Sequence, residues 1–336
     1  MRLSSLVLAA CMAAPACVGR VPAGAVTRVD HVRSCRDSPD VSWSRPGDDR
    51  PVLDAWCDAV GSPVVHDAVV APGHMTGLIV VSWNTHVGAA RIASLLDDLR
   101  SQAGGGARVG IVLLLQEVFR RGPDVPAPPP AGSDGAGRIR PPDAAADIVA
   151  TARSLGLSLA YVPSMRNGEG PEDRGNAILS SEPLDEIGAI ELPFGRQRRV
   201  AVTAIVRPGG TDAALRVVSV HLDTGGARST QARALATTLN ETGAGLPTVV
   251  GGDLNALWGR RDAAFAALDA VVPAAECGTR RTNTWPWRLD LFMGWWRSRV
   301  DYLFAAPPAS GAMQCETLRD RYGSDHRPIV LRLATR

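Results

Sequence analysis

The chain has 336 residues, of which 45% are hydrophobic and 21% charged, a balance that supports one large domain or two small ones with ample core. Its formal net charge of +2 excludes a strongly basic nucleic-acid-binding body while leaving room for a local basic face. All 36 basic residues are Arg, so a P-loop is excluded for want of its Lys, and G-x-S-x-G, H-E-x-x-H and G-x-G-x-x-G motifs are absent as well.

Residues 1–25 read as an export signal. Arg2 precedes the apolar run Leu3 to Pro15, which is too short for a stable membrane span, and Ala23-Gly24-Ala25 offers a cleavage site. Leu8-Ala9-Ala10-Cys11 and Ala16-Cys17 resemble lipoprotein attachment sites. The chain is therefore expected to be secreted or periplasmic, with a lipid anchor as the alternative. Four cysteines remain, and an even count in an exported chain predicts two disulfides, preferably Cys35–Cys57 and Cys277–Cys315. The second would close a loop worth about 4 kcal/mol of chain entropy.

Residues 26–74, rich in Pro, Asp, Arg and Ser, read as an irregular lead-in with a short helix over 52–60. The main domain is expected over 75–336. Leu78-Ile79-Val80-Val81-Ser82-Trp83 predicts a buried strand ending at Asn84. A helix follows over 89–101, with Ile92, Leu95, Leu96 and Leu99 on one face. A second buried strand, 109–115, ends at Gln116-Glu117. The Gly/Pro-rich tract 121–142 predicts a mobile surface loop. Asp143 is expected to cap a helix running to about Leu155. Strands are expected over 159–163, 176–180, 185–191, 200–207 and 215–220, helices over 229–241 and 261–268, and closing strands over 300–305 and 328–333. Many strands, with few helices between strand groups, fit two face-to-face sheets with helices outside.

The chain is organised around Pro247-Thr248-Val249-Val250-Gly251-Gly252-Asp253-Leu254-Asn255. In an extended segment Asp253 and Asn255 leave the same face, where they can hold an attacking water or a phosphate oxygen. The Gly pair would let backbone approach a ligand closely. Similar polar residues recur at other strand ends: Asn84, Glu117, His221 with Asp223, and Ser324-Asp325-His326. Singly, each has an ordinary reading as a turn former or a packing His. Asp301, inside the apolar strand Val300-Asp301-Tyr302-Leu303-Phe304, needs a partner because an unpaired buried charge is costly, and a His is the natural one.

Taken in order, Ser82-Trp83-Asn84, Leu115-Gln116-Glu117, Gly175-Asn176-Ala177-Ile178-Leu179-Ser180, Val220-His221-Leu222, Gly252-Asp253-Leu254-Asn255, Val300-Asp301-Tyr302 and Ser324-Asp325-His326-Arg327-Pro328 resemble the motifs of the endonuclease/exonuclease/phosphatase superfamily. The resemblance covers residues 77 to 334. It implies a deoxyribonuclease I-like α/β fold, a four-layered α/β/β/α sandwich of two mostly antiparallel sheets with outer helices, and Mg²⁺-dependent cleavage of phosphoester bonds.

Donor chemistry agrees with the roles so implied. Mg²⁺ takes oxygen ligands and keeps several waters, so Glu117 with Asp325 and the Asn84 carboxamide would suffice, and Mn²⁺ accepts the same set. His326 oriented by Asp301 is one candidate general base and Asp253 the other; the sequence leaves both open. Asn255 and His221 would bind non-bridging oxygens, a protonated His221 also donating to the leaving group. Asn176 and the preceding Arg174 are candidate phosphate contacts, Arg for its bidentate fork.

One stretch departs from the family pattern. Trp285 to Arg297 carries four Trp and a Phe with Arg between them, as a structural plug, a base-stacking surface or a wedge into lipid. The leading expectation is a metal-dependent nuclease, monomeric and without a transmembrane helix in the mature chain. A sphingomyelinase-like lipid phosphodiesterase acting on phospholipid is the rival, a phosphomonoesterase the third reading, and a non-catalytic binding module the last.

Overall fold

The computed structural model describes residues 30–31, 38, 40–45, 50–69, 75–103, 108–126, 145–167, 170–211, 213–243, 245–275, 299–306 and 312–334. In chain order the first elements are β1 (Asp30–His31), β2 (Ser42–Arg45), α1 (Arg50–Asp58), β3 (Val64–His66), β4 (Met75–Asn84), α2 (Ile92–Gln102) and β5 (Arg108–Arg121). Next come α3 (Ile148–Leu155), β6 (Ser158–Arg166), β7 (Glu172–Ser180), β8 (Asp185–Glu191), β9 (Val200–Val206) and β10 (Leu215–His221). The chain closes with α4 (Arg228–Thr242), β11 (Thr248–Asp253), α5 (Ala263–Asp269), β12 (Asp301–Ala305), β13 (Met313–Thr317) and β14 (Ile329–Ala334).

The strands form two seven-stranded sheets, ordered β1-β2-β8-β9-β10-β11-β12 and β13-β14-β4-β5-β7-β6-β3. Three pairings are parallel (β2 with β8, β4 with β5, β10 with β11) and the other strand pairs are antiparallel. Both faces of the central strands are covered, which is why these strands read as unbroken apolar runs rather than as alternation. Between the sheets, Val80, Leu114 and Ile178 meet Val202, Val217, Val249 and Leu303. Outside one sheet, Leu95, Leu96 and Leu99 of α2 and Ala152 of α3 cover Ile79, Val81, Leu113 and Leu179. Outside the other, Leu235 and Leu239 of α4 and Phe265 of α5 cover Val218, Val250 and Phe304. The result is the α/β/β/α sandwich expected.

The segment read as an irregular lead-in forms four elements. Parallel pairing of β2 with β8 and antiparallel pairing of β3 with β6 extend an edge of each sheet, and α1 buries Leu53, Trp56 and Cys57. Short strands of three or four residues carry too little periodicity to be seen among Pro and Asp. Helix α3 begins at Ile148 and is capped by Asp147, whose carboxylate accepts from the Ala150 N–H at 2.8 Å; the expected cap, Asp143, lies outside the described residues. So do residues 1–29, most of the tract 121–142, Cys35, Cys277 and the Trp285–Arg297 stretch. The disulfide pairing therefore stays an expectation.

The Gly pair of β11 serves packing rather than ligand approach. A Cβ on Gly251 would press on Ser82 and Leu114 of the facing sheet, and one on Gly252 would collide with the Val220 carbonyl of the neighbouring strand. Only residues without a Cβ let β11 sit this close to both.

Candidate active site

Strand register brings the polar strand ends together. Asn84 and Gln116 are partners on the parallel pair β4–β5, so both chains deliver their polar residues at one edge. In the other sheet, Asp253 is the register partner of His221 on one side and of Asp301 on the other. Strand β14 enters antiparallel beside β4, which places Ser324-Asp325-His326 at the same edge. The Ser324 hydroxyl donates to the Asn84 carbonyl at 2.6 Å and accepts from the His326 N–H at 3.0 Å. The Trp83 indole donates to the His326 carbonyl at 3.2 Å.

His326 and Asp301 are the buried partners expected, Nδ1 to Oδ2 at 2.8 Å. Burial pulls the imidazole pKa down, but the Asp301 carboxylate, helped by Asp253 and Asp325, overrides it and raises it to about 10. The ring is a cation at neutral pH. Asp253 lies 3.9 Å from its Nε2 and accepts from the Asn84 amide at 3.2 Å. Burial, then the nearby Asp301, push the Asp253 carboxyl up to about 7.

Asn255 does not share an extended face with Asp253. Strand β11 ends at Asp253, and Asn255 takes a left-handed φ of 50°, a conformation Asn tolerates better than most residues. Its backbone N–H donates to Asp253 Oδ1 at 2.9 Å, so a turn, not strand alternation, holds the pair. The Asn255 amide reaches the Leu222 carbonyl at 3.0 Å and His221 Nε2 at 3.2 Å. His221 is held well below the usual imidazole range by burial, then by Arg199, His326 and Arg174. Burial and these cations disfavour the protonated donor expected, although Glu117 and Asp253 lie 3.8 and 3.6 Å from the ring nitrogens.

Two of the expected metal donors, Glu117 and Asp325, border this cluster where it is less buried. Glu117 sits on a bulge of β5, between Leu115 and Val118, at a φ of 51°, and its Oε1 is 3.8 Å from His221 Nδ1. Asp325 Oδ1 is 3.9 Å from His326 Nε2 and 3.1 Å from His86 Nδ1. These two side chains are 21% and 33% exposed, whereas Asp253 and Asp301 are 4% and 0% exposed. With the Asn84 carboxamide they present only hard oxygen donors, and the set fits a hydrated hard dication. Asp253, Asp301 and His326 also offer ligand atoms within 4.8 Å of one another. One His nitrogen and one Asp oxygen of that set are already spent on each other, so it suits proton handling better.

Arg174 and Asn176 are on β7, not in a loop, and both are buried. Asn176 ties the two sheets together, its amide donating to the Val200 carbonyl at 2.7 Å. Two site residues were missed from the sequence. His86, on the turn after Asn84, caps Asp325 and has its pKa raised chiefly by that hydrogen bond. Arg199 lines one small cavity with Arg174, Asn176, Glu117 and His221. The run Arg196-Gln197-Arg198-Arg199 resembles a solvated basic face, and only the fold shows that its last two members are buried.

Comparison with known proteins agrees with this fold. The sequence model described as "Endonuclease/Exonuclease/phosphatase family" matches residues 81–326. "Uncharacterized protein YbhP" of Escherichia coli (strain K12) is 30% identical over 172 residues, 49% of this chain and 64% of that protein. The chain thus spans less than two thirds of the length of the curated relatives it matches. Among solved structures, the human Nocturnin catalytic domain with bound sulfate superposes with a TM-score of 0.52 at 16% identity, covering 81% of this chain and 97% of that one. The Bacteroides thetaiotaomicron mannosyl-6-phosphatase Bt3783 gives 0.51 at 15% identity, over 77% of this chain and 100% of that one. At such identities these two show a common fold alone.

Proposed function

Because this chain belongs to the endonuclease/exonuclease/phosphatase family, we propose that it is an exported Mg²⁺-dependent phosphodiesterase whose substrate is nucleic acid. As a phosphoesterase of that family it has divalent-metal-dependent relatives, and the choice of Mg²⁺ and of a diester is our reading. One observation carries it: strand register gathers Glu117, His221, Asp253, Asp301 and His326, from far-apart stretches of sequence, into a single polar cluster.

In this reading Glu117, Asp325 and Asn84 hold the dication, which when bound polarises the phosphoryl oxygen and offsets the charge that develops on it. Asp253 takes the proton of the attacking water. A carboxyl near neutral pKa is matched to that task, while His326, already cationic, has no lone pair to offer and instead holds a non-bridging oxygen. Asp301 keeps His326 charged and aimed. The amide of Asn255 and the neutral ring of His221 position the phosphate from the opposite side.

Purified protein incubated with plasmid DNA, RNA, sphingomyelin and a chromogenic phosphodiester, each with Mg²⁺ or with EDTA, tests the reading. Nicking abolished by EDTA and by Asp253→Ala supports it. Lipid turnover without nicking transfers the case to a phospholipid substrate, a reading that rests on the Trp285–Arg297 stretch outside the described residues. Among the described residues no helix is long and apolar enough to cross a membrane. Export, with or without a lipid anchor, is tested by mass spectrometry of the mature N-terminus.

A further inference from the structure

The chemistry above uses one phosphate, yet two cations beside it go unused. Arg174 and Arg199 are 4% and 7% exposed. Among the described residues the Arg199 guanidinium has no hydrogen bond or ion pair, and the Arg174 guanidinium donates only to the Met165 sulfur, at 3.2 Å. Arg174 Nη1 and Arg199 Nε are buried with no acceptor among the described residues. Two other buried arginines are matched to carboxylates: Arg120 grips Asp173, and Arg198 grips Glu191 through two hydrogen bonds at 2.7 and 2.8 Å. Desolvated guanidinium groups stay charged and are costly without a counter-ion. Glu117, the carboxylate that lines their cavity, is committed to the dication in the reading above.

We propose that Arg174 and Arg199 form a second anion subsite, which takes a further phosphate of the substrate next to the bond being cleaved. The inference rests on the phosphodiesterase reading. Their cavity is bounded by Glu117 and His221 but not by Asp253, Asp301 or His326, so it opens beside the seat of the scissile phosphate rather than on it. Two guanidinium groups balance the two charges of a phosphate monoester and can fork onto its oxygens. A terminal phosphate on a nucleic-acid chain and the second phosphate of a small bisphosphate share this chemistry.

The test compares kcat/KM for a thymidine dinucleotide with that for its 5′- and 3′-phosphorylated forms, and for a sugar bisphosphate against its monophosphate. Calorimetry with inorganic pyrophosphate in EDTA gives a second, turnover-free readout. The wild type is expected to favour one doubly phosphorylated substrate at least tenfold and to bind pyrophosphate. R199Q and R174Q should lose both, and R199K should retain part. The arm that carries the preference identifies the source. Absence of turnover of every substrate would overturn the phosphodiesterase reading while leaving pyrophosphate binding to judge the subsite. A wild type with neither preference nor pyrophosphate binding overturns the subsite, as does a folded R199Q or R199K that leaves both unchanged. Where R199Q fails to fold by circular dichroism, R199K and the wild-type titration decide.

Discussion

Replacing Asp301 by Asn tests what holds the site's central cation. Asp301 is fully buried, and its Oδ2 is 2.8 Å from His326 Nδ1. A rise in the imidazole pKa from 6.5 to about 10 corresponds to about 5 kcal/mol, at 1.36 kcal/mol for each pKa unit. Breaking a buried pair by removing one charge costs ~3–5 kcal/mol, in agreement. In Asp301→Asn the burial that opposes protonation is no longer overridden, so the ring becomes neutral at pH 7. Proton NMR titration of the ring in EDTA should show His326 titrating near or below 6.5 in the variant. The sign of the stability effect follows. A His whose folded pKa is raised contributes fully below 6.5 and loses that contribution as pH rises towards about 10. Urea midpoints of the metal-free wild type should therefore fall across that window, and those of Asp301→Asn should not. A variant whose His326 still titrates near 10 would refute the account, since another group would have to carry the shift.

Three further outcomes are expected. Glu117→Gln and Asp325→Asn should each weaken Mg²⁺ or Mn²⁺ binding at least tenfold by calorimetry, since each removes one of the two exposed carboxylates in the donor set. For Asp253 as base, kcat/KM should rise with pH through a pKa at or below about 7, the bound dication shifting it downward. Asp253→Asn should remove that limb and lower the rate roughly 10²–10⁴-fold; an unchanged limb would return the role to His326. Gly252→Ala should destabilise the fold by roughly 3 kcal/mol or more in urea denaturation, because its Cβ meets the Val220 carbonyl, which the β10–β11 ladder holds in place.

The long apolar runs were legible because a strand covered on both faces has no alternative but to be hydrophobic throughout. The ordered motifs were legible because polar residues at such strand ends are conspicuous. What escaped was set by contacts between stretches far apart in sequence. Whether Arg199 is solvated or buried depends on the strand that crosses it. Whether Asp253 and Asn255 share an extended face depends on where β11 stops, and the left-handed turn at Asn255 is a backbone choice that Asn permits but does not announce. The choice between two bases was likewise closed to sequence, since it turns on Asp301 lying beside His326 as well as beside Asp253.

The lack of Lys in this chain bears directly on the site. A buried Lys relieves its desolvation by losing its proton, whereas Arg remains charged under the same stress. Burial lowers the pKa of both Arg174 and Arg199, yet a guanidinium so placed keeps its charge at any physiological pH. The positive field at His221 is therefore permanent and adds to the burial that lowers the pKa of that ring. Exchange of Arg199 for a neutral residue would relieve it. The His221 pKa should then rise in metal-free R199Q, and a proton NMR titration that shows no rise would refute the coupling.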